Sequence, residues 1–328
     1  MIHEVLTIGR ISVDIYPNDV GADLEDVTSF GKYLGGSPSN VAVAAARHGR
    51  QAGVITRTGD DSFGNYLHRE LRKFNVDDSF VTPVQNLQTP VTFCAIKPPE
   101  DFPLYFYGRF PTAPDLQIQA DELDLNAIRK AGIFWSTVTG LSQEPSASAH
   151  IAAHLARDRS ELTEGQFTIL DLDYRPMFWE SEDAARAQVA KILPHVTVAI
   201  GNDKECAVAV GEGTADEQAD RLLAAGVEIA VVKLGPEGVM AKTRTERVVS
   251  APVPVDTVNG LGAGDSFGGA FCHGLLSGWP LTVVLDYANA AGAIVASRLS
   301  CADAMPTPAE VTALLAERGR PIPEEAMQ

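Results

Sequence analysis

Short runs of β-type residues alternate with longer helical stretches along most of this 328-residue chain. The predicted strands are Val5–Arg10, Ala52–Arg57, Ile133–Val138, Phe167–Asp173, Val196–Gly201 and Glu228–Leu234. Predicted helices lie between them, among them Ser39–His48, Phe63–Phe74, Ser146–Arg157, Glu182–Ile192 and Glu217–Ala225. Two parallel neighbouring strands can be joined only by a long crossover, usually a helix. The alternation therefore specifies an α/β fold with a mostly parallel central sheet and helices on both faces. Ligands of such sheets bind beyond the carboxyl ends of the strands. No internal repeat or low-complexity tract divides the sequence, and we read residues 1–328 as a single domain.

Two segments break the rhythm. Residues 14–34 and 91–110 carry β-type residues between turn signals, without helical spacing. Pro90–Lys97 and Leu104–Tyr107 read as a hairpin around Pro98-Pro99-Glu100-Asp101. These insertions form either a small β-sheet lid that keeps water from a site below or an edge hairpin without function. The stretch from Arg318 reads as a loose tail.

Composition excludes several classes. A net charge of −17 disfavours nucleic acid and anionic membranes, since neither would be attracted. No apolar run is long enough to span a bilayer, and the start Met-Ile-His-Glu-Val-Leu-Thr-Ile-Gly reads as a strand rather than a signal peptide. The four cysteines (Cys94, Cys206, Cys272, Cys301) show no metal-ligand spacing. Reduced thiols and a cytoplasmic location are the expectation.

The chemistry is concentrated in Asp256-Thr-Val-Asn-Gly-Leu-Gly-Ala-Gly-Asp265, which opens a helical stretch of small residues. Backbone without Cβ lets a ligand approach closely, and the free amides at a helix start bind anions. An adjacent carboxylate can take a proton from an alcohol as a phosphoryl group moves to it. The other reading is a packing turn between strand and helix. A dinucleotide fingerprint fits poorly, because Asp265 stands where the third glycine belongs. Neither a Walker-type loop nor the protein-kinase motifs occur.

A second constellation is Leu34-Gly-Gly-Ser-Pro-Ser-Asn40 before a helix. Gly35 and Gly36 open the backbone, Ser39 is the expected cap, and Asn40 is placed to meet a ligand hydroxyl. The alternative is a glycine turn feeding a helix. Asp14 follows the first strand as either a diol acceptor or a turn former.

The Gly-Gly-x-x-x-Asn and Gly-x-Gly-Asp elements, in this order and separation, resemble the two signatures of the ribokinase-like (PfkB-type) sugar kinases, to about Thr312. That resemblance implies a three-layer sandwich with a β-sheet lid, and ATP and Mg²⁺ as cofactors. Asp265 would be the base, with the amides of Gly262, Ala263 and Gly264 as anion hole. The helix start would hold Asp265 ionised. Asn202 and Glu205, in Gly201-Asn-Asp-Lys-Glu205, match an element associated with Mg²⁺ through water and with nucleotide. Lys233, Gly235 and Gly238 match a nucleotide-side turn, and Asn289 a helix bordering the purine. Asp256 resembles part of the monovalent-cation (K⁺) site of some members. Asp14, Gly35, Gly36 and Asn40 match sugar-binding positions. A homodimer through the lid is a further expectation.

Finer segments resemble the 5-dehydro-2-deoxygluconokinase branch of inositol catabolism. They are Gly9-Arg-x-x-x-Asp-x-Tyr-Pro17, Tyr105-Phe-Tyr-x-Arg109, Asp171-x-Asp-Tyr-Arg-Pro176 with Trp179, and Arg298-x-x-Cys-Ala-x-Ala-Met-Pro306. In that branch the lid arginine directly follows the aromatic pair, whereas here Gly108 intervenes before Arg109. A keto-sugar acid carries a carboxylate, the natural partner of an arginine fork. Arg10, Arg109 and Arg175 are the candidates, each either a ligand contact or a surface ion pair. Kinases of 2-keto-3-deoxygluconate, fructose or ribose remain alternatives, as does a silent sugar-binding regulator on the same fold.

Overall fold

The computed structural model describes residues 2–99 and 101–323. Its strands are β1 (Val5–Ile8), β2 (Ser12–Pro17), β3 (Phe30–Gly35), β4 (Ala52–Gly59), β5 (Val76–Asp77), β6 (Val81–Val84) and β7 (Val91–Cys94). The remainder are β8 (Leu104–Tyr107), β9 (Ile133–Thr137), β10 (Phe167–Asp171), β11 (Val198–Asn202), β12 (Ile229–Lys233), β13 (Val239–Lys242) and β14 (Arg247–Ser250).

The large sheet has the order β14-β13-β12-β11-β10-β9-β1-β4-β5, with β6 paired to β4. From β12 to β5 every pairing is parallel, and β13 and β14 close one edge as an antiparallel hairpin. The parallel strands are apolar runs because helices cover both faces. Successive residues serve opposite layers: Val231 joins one core cluster, and its neighbours Ala230 and Val232 another. Val198 and Ile200 likewise part from Ala199. Fully burying one such aliphatic side chain contributes about 1.5–3 kcal/mol.

The two insertions make a second sheet, β3-β2-β7-β8. The predicted hairpin is β7–β8, antiparallel with Val91 opposite Tyr107. Glu100 of its turn lies outside the described residues. Gly9, at φ 135°, ends β1 and sends the chain into this lid.

Two expectations are corrected and one hairpin is added. Ser39 does not cap its helix: the helix is Ser37–Arg47, capped at Gly36, and the Ser39 hydroxyl inside it donates to the Arg10 carbonyl. A Cβ on Gly36 would fall 2.5 Å from that same carbonyl oxygen, so only glycine fits at its φ of 100°. The tail is docked as far as residue 323, with Arg320 donating to the Ala251 carbonyl and Ile322 buried. Residues 324–328 lie outside the described part. The β13–β14 hairpin was not predicted, because β14 is exposed on alternate residues and short. No helix among the described residues is long and apolar enough to cross a membrane.

Candidate active site

Three strands deliver side chains to one spot at their carboxyl ends. Asp171 ends β10, Asn202 ends β11, and Lys233 ends β12 in register with Asn202. Beyond β1 the chain runs through Arg10 to Asp14 of β2, and the Asp265 helix (Ala263–Leu276) enters from one side. Together they line a cavity of about 270 Å³ beneath the lid, which contributes Thr92 and Leu104. A second cavity of about 240 Å³ lies beyond Gly264 and Lys233, lined by Gly235, Gly238, Ala263, Phe267 and Asn289. Lys233 and Gly264 belong to both walls. The site is thus two chambers meeting at one glycine and one lysine.

Gly262 caps the Asp265 helix in the left-handed region at φ 81°. A Cβ there would lie 2.5 Å from the Cys301 sulfur. The first amides of a helix have no acceptor within it. Ala263 N–H reaches only the Gly260 carbonyl, at 3.4 Å, and the Gly262 and Gly264 amides border the first chamber. Gly262 and Gly264 on the first chamber and Ala263 on the second leave this helix start open to an anion. Asn289 lines the second chamber, with its amide held by the Ala251 carbonyl at 2.8 Å.

Asn40 does more than wait for a ligand. Its Nδ2 donates to Asp265 Oδ2 at 2.8 Å, across 225 residues of sequence. One helical turn further on, Gly269 leaves no room for a Cβ against Ala44, so the two helices approach closely enough for that bond. Asn40 Oδ1 is buried without a partner.

The surroundings of Asp265 shift its pKa upward, against the direction that the helix start alone would give. Burial is the largest influence and raises its pKa; Asn40 and then Ser37 pull it down, while Asp173 pushes it up. With its pKa raised by burial, Asp265 is a better base than a solvated carboxylate. The Ser37 hydroxyl makes no hydrogen bond of good geometry, but it lies near enough to favour the charged form.

Asp14 is raised to about 6, chiefly by burial, although Ser12 donates to Oδ1 at 2.8 Å and Tyr16 to Oδ2 at 3.1 Å. Gly35 exists to admit that carboxylate: its Cβ would sit 2.0 Å from Asp14 Oδ1. Asp14 is pinned by both hydroxyls and cannot yield. Gly35→Ala is therefore expected to lower kcat/KM for the sugar by about a hundredfold, as misplacement by an ångström does. Overpacking should cost only about 1–3 kcal/mol of stability. Steady-state kinetics and a thermal melt check both, and a fall in stability without a kinetic effect would contradict the assignment.

Asn202 and Glu205 form a reciprocal cap. Asn202 Oδ1 accepts from Glu205 N at 2.9 Å, and Glu205 Oε2 accepts from Asn202 N at 2.8 Å. The second Glu205 oxygen is left for the chamber it lines. No cluster of three acidic, histidine or cysteine ligands occurs among the described residues. One free carboxylate oxygen and no closed ligand cage fit an Mg²⁺ that arrives on phosphate and keeps its waters. Asp256 is exposed and lines neither chamber. No step below uses it.

Lys233 faces Asp171, Glu205, Asp173 and Asp265. Burial alone would lower its pKa, but the carboxylates raise it overall, so it is charged. Asp171 is pushed up by burial first, with Lys233 pulling down and Asp173, Glu205 and Asp265 pushing up.

The arginines separate. Arg10 and Arg175 line the first chamber, Arg175 with one nitrogen 2.7 Å from Asp173 Oδ1. Arg109 does not line it. Its guanidinium donates to both oxygens of Asp115, at 3.0 and 2.9 Å, with both side chains buried. The inserted Gly108, at φ 71°, turns the chain and carries Arg109 away, which corrects its assignment as a direct substrate contact. Asp171, Asp173, Thr92, Ser37 and Cys301 also line the chamber and were not among the predicted site residues. The Asp-x-Asp-Tyr-Arg run signalled the first two, and nothing in the sequence marked Thr92.

The family described as pfkB family carbohydrate kinase matches residues 2–308. A 5-dehydro-2-deoxygluconokinase of Geobacillus kaustophilus is 33% identical over 314 residues, 94% of this chain and 92% of that protein. One of Clostridium perfringens is 30% identical, over 93% of this chain and 90% of its own length. An E. coli structure solved with ATP and Mg²⁺, provisionally assigned as ribokinase II, superposes with a TM-score of 0.85. It is 22% identical and covers 96% of this chain and 99% of its own. The three-layer fold with its lid is thus ribokinase-like, and the chain belongs to the pfkB family of carbohydrate kinases.

Proposed function

We propose that this chain is an ATP-dependent kinase that phosphorylates the terminal hydroxyl of 5-dehydro-2-deoxygluconate. One observation carries the substrate. The buried polar atoms without partners include Arg10 Nε, Ser37 Oγ, Asn40 Oδ1, Thr92 Oγ1, Asp173 Oδ2 and Arg175 Nε, and these residues all line the Asp265 chamber. Buried polar atoms are ordinarily paired. Guanidinium and hydroxyl donors beside lone acceptors describe a ligand with a carboxylate and several hydroxyls. The identically named relatives support the same substrate.

In this reading the acceptor hydroxyl lies at Asp265. Asn40 fixes Oδ2 and leaves the other oxygen to take the proton. The amides of Gly262, Ala263 and Gly264 and the Lys233 ammonium face the transferring phosphoryl group where the chambers meet. Mg²⁺, when bound beside Glu205, neutralises phosphate charge. The lid keeps water out, so that transfer to sugar outcompetes hydrolysis. Four buried, unpaired cysteines suit the reducing cytoplasm in which we place the enzyme.

The test is ADP release across a panel of sugars and sugar acids. We expect kcat/KM for 5-dehydro-2-deoxygluconate to exceed that for fructose or ribose by about a hundredfold or more, since unpaired buried charges penalise neutral sugars. Preference for a neutral sugar would remove the substrate and leave the kinase.

A further inference from the structure

Arg109 is buried deep beside the site without lining it, and its surroundings show what it holds. Its guanidinium carbon lies 4.5 Å from the centre of the Phe178 ring. Phe178 meets Phe106 edge-on, with centroids 5.0 Å apart at 66°. On Phe106, in turn, the guanidinium of Arg10 sits 5.5 Å from the ring centre. The result is a continuous stack from Asp115 through Arg109, Phe178 and Phe106 to Arg10.

Each end of this stack governs something in the chamber. Arg10 lines it directly. Phe106 belongs to lid strand β8, next to Leu104–Tyr105 and opposite Thr92 of β7. Phe178 closes the turn Pro176–Phe178, and its amide donates to the Arg175 carbonyl at 2.9 Å. A Phe178 held by Arg109 therefore holds the backbone of Arg175 and the lid strand against each other. Asp115 makes Arg109 rigid by taking two hydrogen bonds on one buried nitrogen.

We propose that Arg109, Asp115 and Phe178 are positioning residues that fix Arg10, Arg175 and the lid for capture of the sugar acid, without touching it. The proposal rests on the kinase reading above. An arginine stacked on an aromatic ring orients it through the ring's negative face, and a docked lid strand reduces the ordering needed when substrate binds. Nothing in the stack reaches the second chamber, so the nucleotide side should not register its loss.

The experiment measures KM for both substrates in Phe178→Ala, Phe178→Tyr and Asp115→Asn, with folding checked by circular dichroism. We expect Phe178→Ala to raise KM for the sugar acid about tenfold, the scale of one desolvated cation–π contact. KM for ATP should stay within about twofold, because substrate-side contacts alone are lost. Phe178→Tyr keeps the ring and should restore the sugar KM. Asp115→Asn should raise the sugar KM as Phe178→Ala does. If Arg109 were a substrate ligand held in reserve, freeing it by Asp115→Asn would lower the sugar KM, and that result overturns the proposal. An unchanged sugar KM in Phe178→Ala, or equal rises for sugar and ATP, also overturns it. If the wild type turned over no sugar acid but did turn over another acceptor, the substrate reading would fail, and the stack would be tested on that acceptor.

Discussion

Asp265→Asn should cut kcat by about 10²–10⁴-fold, the range a positioned acid or base contributes, while ATP still binds. The two chambers explain the separation. Asp265 lies on the wall of the first chamber, whereas Gly235, Gly238 and Asn289 line the second. The amide of an introduced asparagine is nearly isosteric with the carboxylate and leaves the helix start and its cradle in place. It cannot take the hydroxyl proton. The pH dependence adds a second readout. Burial raises the Asp265 pKa, so the ionised base is lost at a higher pH than an ordinary carboxylate would be. Activity of the native protein should therefore decline as pH falls through that raised value. Asp14, raised to about 6, adds a component of its own to the acid limb. In Asp265→Asn the limb due to the base should vanish, leaving the Asp14 component on a small residual rate. Steady-state kinetics across pH and calorimetric titration with ATP measure these effects. Turnover within about threefold of wild type would remove Asp265 from the chemistry.

The parts of this site written in contiguous residues were legible before any coordinates. Buried parallel strands announce themselves as apolar runs, and Gly262-Ala263-Gly264-Asp265 announces a glycine-rich helix start with a carboxylate in its first turn. Gly35 and Gly36 were legible as openings in the backbone. What they open for was not, since the Asp14 carboxylate against Gly35 belongs to the neighbouring strand β2, across the pairing of Ser12 with Gly35. The upward shift of Asp265 was hidden for the same kind of reason. A helix start is visible in sequence, but desolvation is a property of the assembled cleft, and it dominates. The Asn40–Asp265 bond depends on Gly269 meeting Ala44, a contact between helices remote in sequence. Arg109 was aligned by its neighbours in sequence, yet one glycine in the left-handed region sent it to Asp115. Motifs located the chemistry, while packing decided which charged groups face it.

Lys233→Met is expected to lower kcat by about 10²–10³-fold, the effect of removing one donor from a preorganised anion site, with little loss of stability. The catalytic half follows from position. Lys233 belongs to the walls of both chambers, and its Nζ lies 3.4 Å from where a Cβ on Gly264 would be, beside the cradle amides. In the proposed transfer, charge developing on the phosphoryl group passes this point, and a methionine of similar length supplies no cation there. The stability half follows from the neighbours. Taking a lysine from among buried carboxylates ordinarily leaves unpaired charge, at about 3–5 kcal/mol. Here Asp171 already has a raised pKa, and Lys233 is what pulls it down. Without Lys233, Asp171 takes up a proton at higher pH and the penalty is largely avoided. The sign can be checked. A carboxylate whose folded pKa lies above its unfolded value destabilises the fold as pH rises past the unfolded value. Asp171 is already raised to about 8 in the native protein, so the stability of Lys233→Met should fall further below wild type only above that pH, up to the new and higher Asp171 value. Denaturant melts at several pH values, with proton uptake on folding, test this directly. A variant that kept kcat, or lost several kcal/mol at every pH, would show Lys233 to be a structural counter-ion and not the cation of the transfer site.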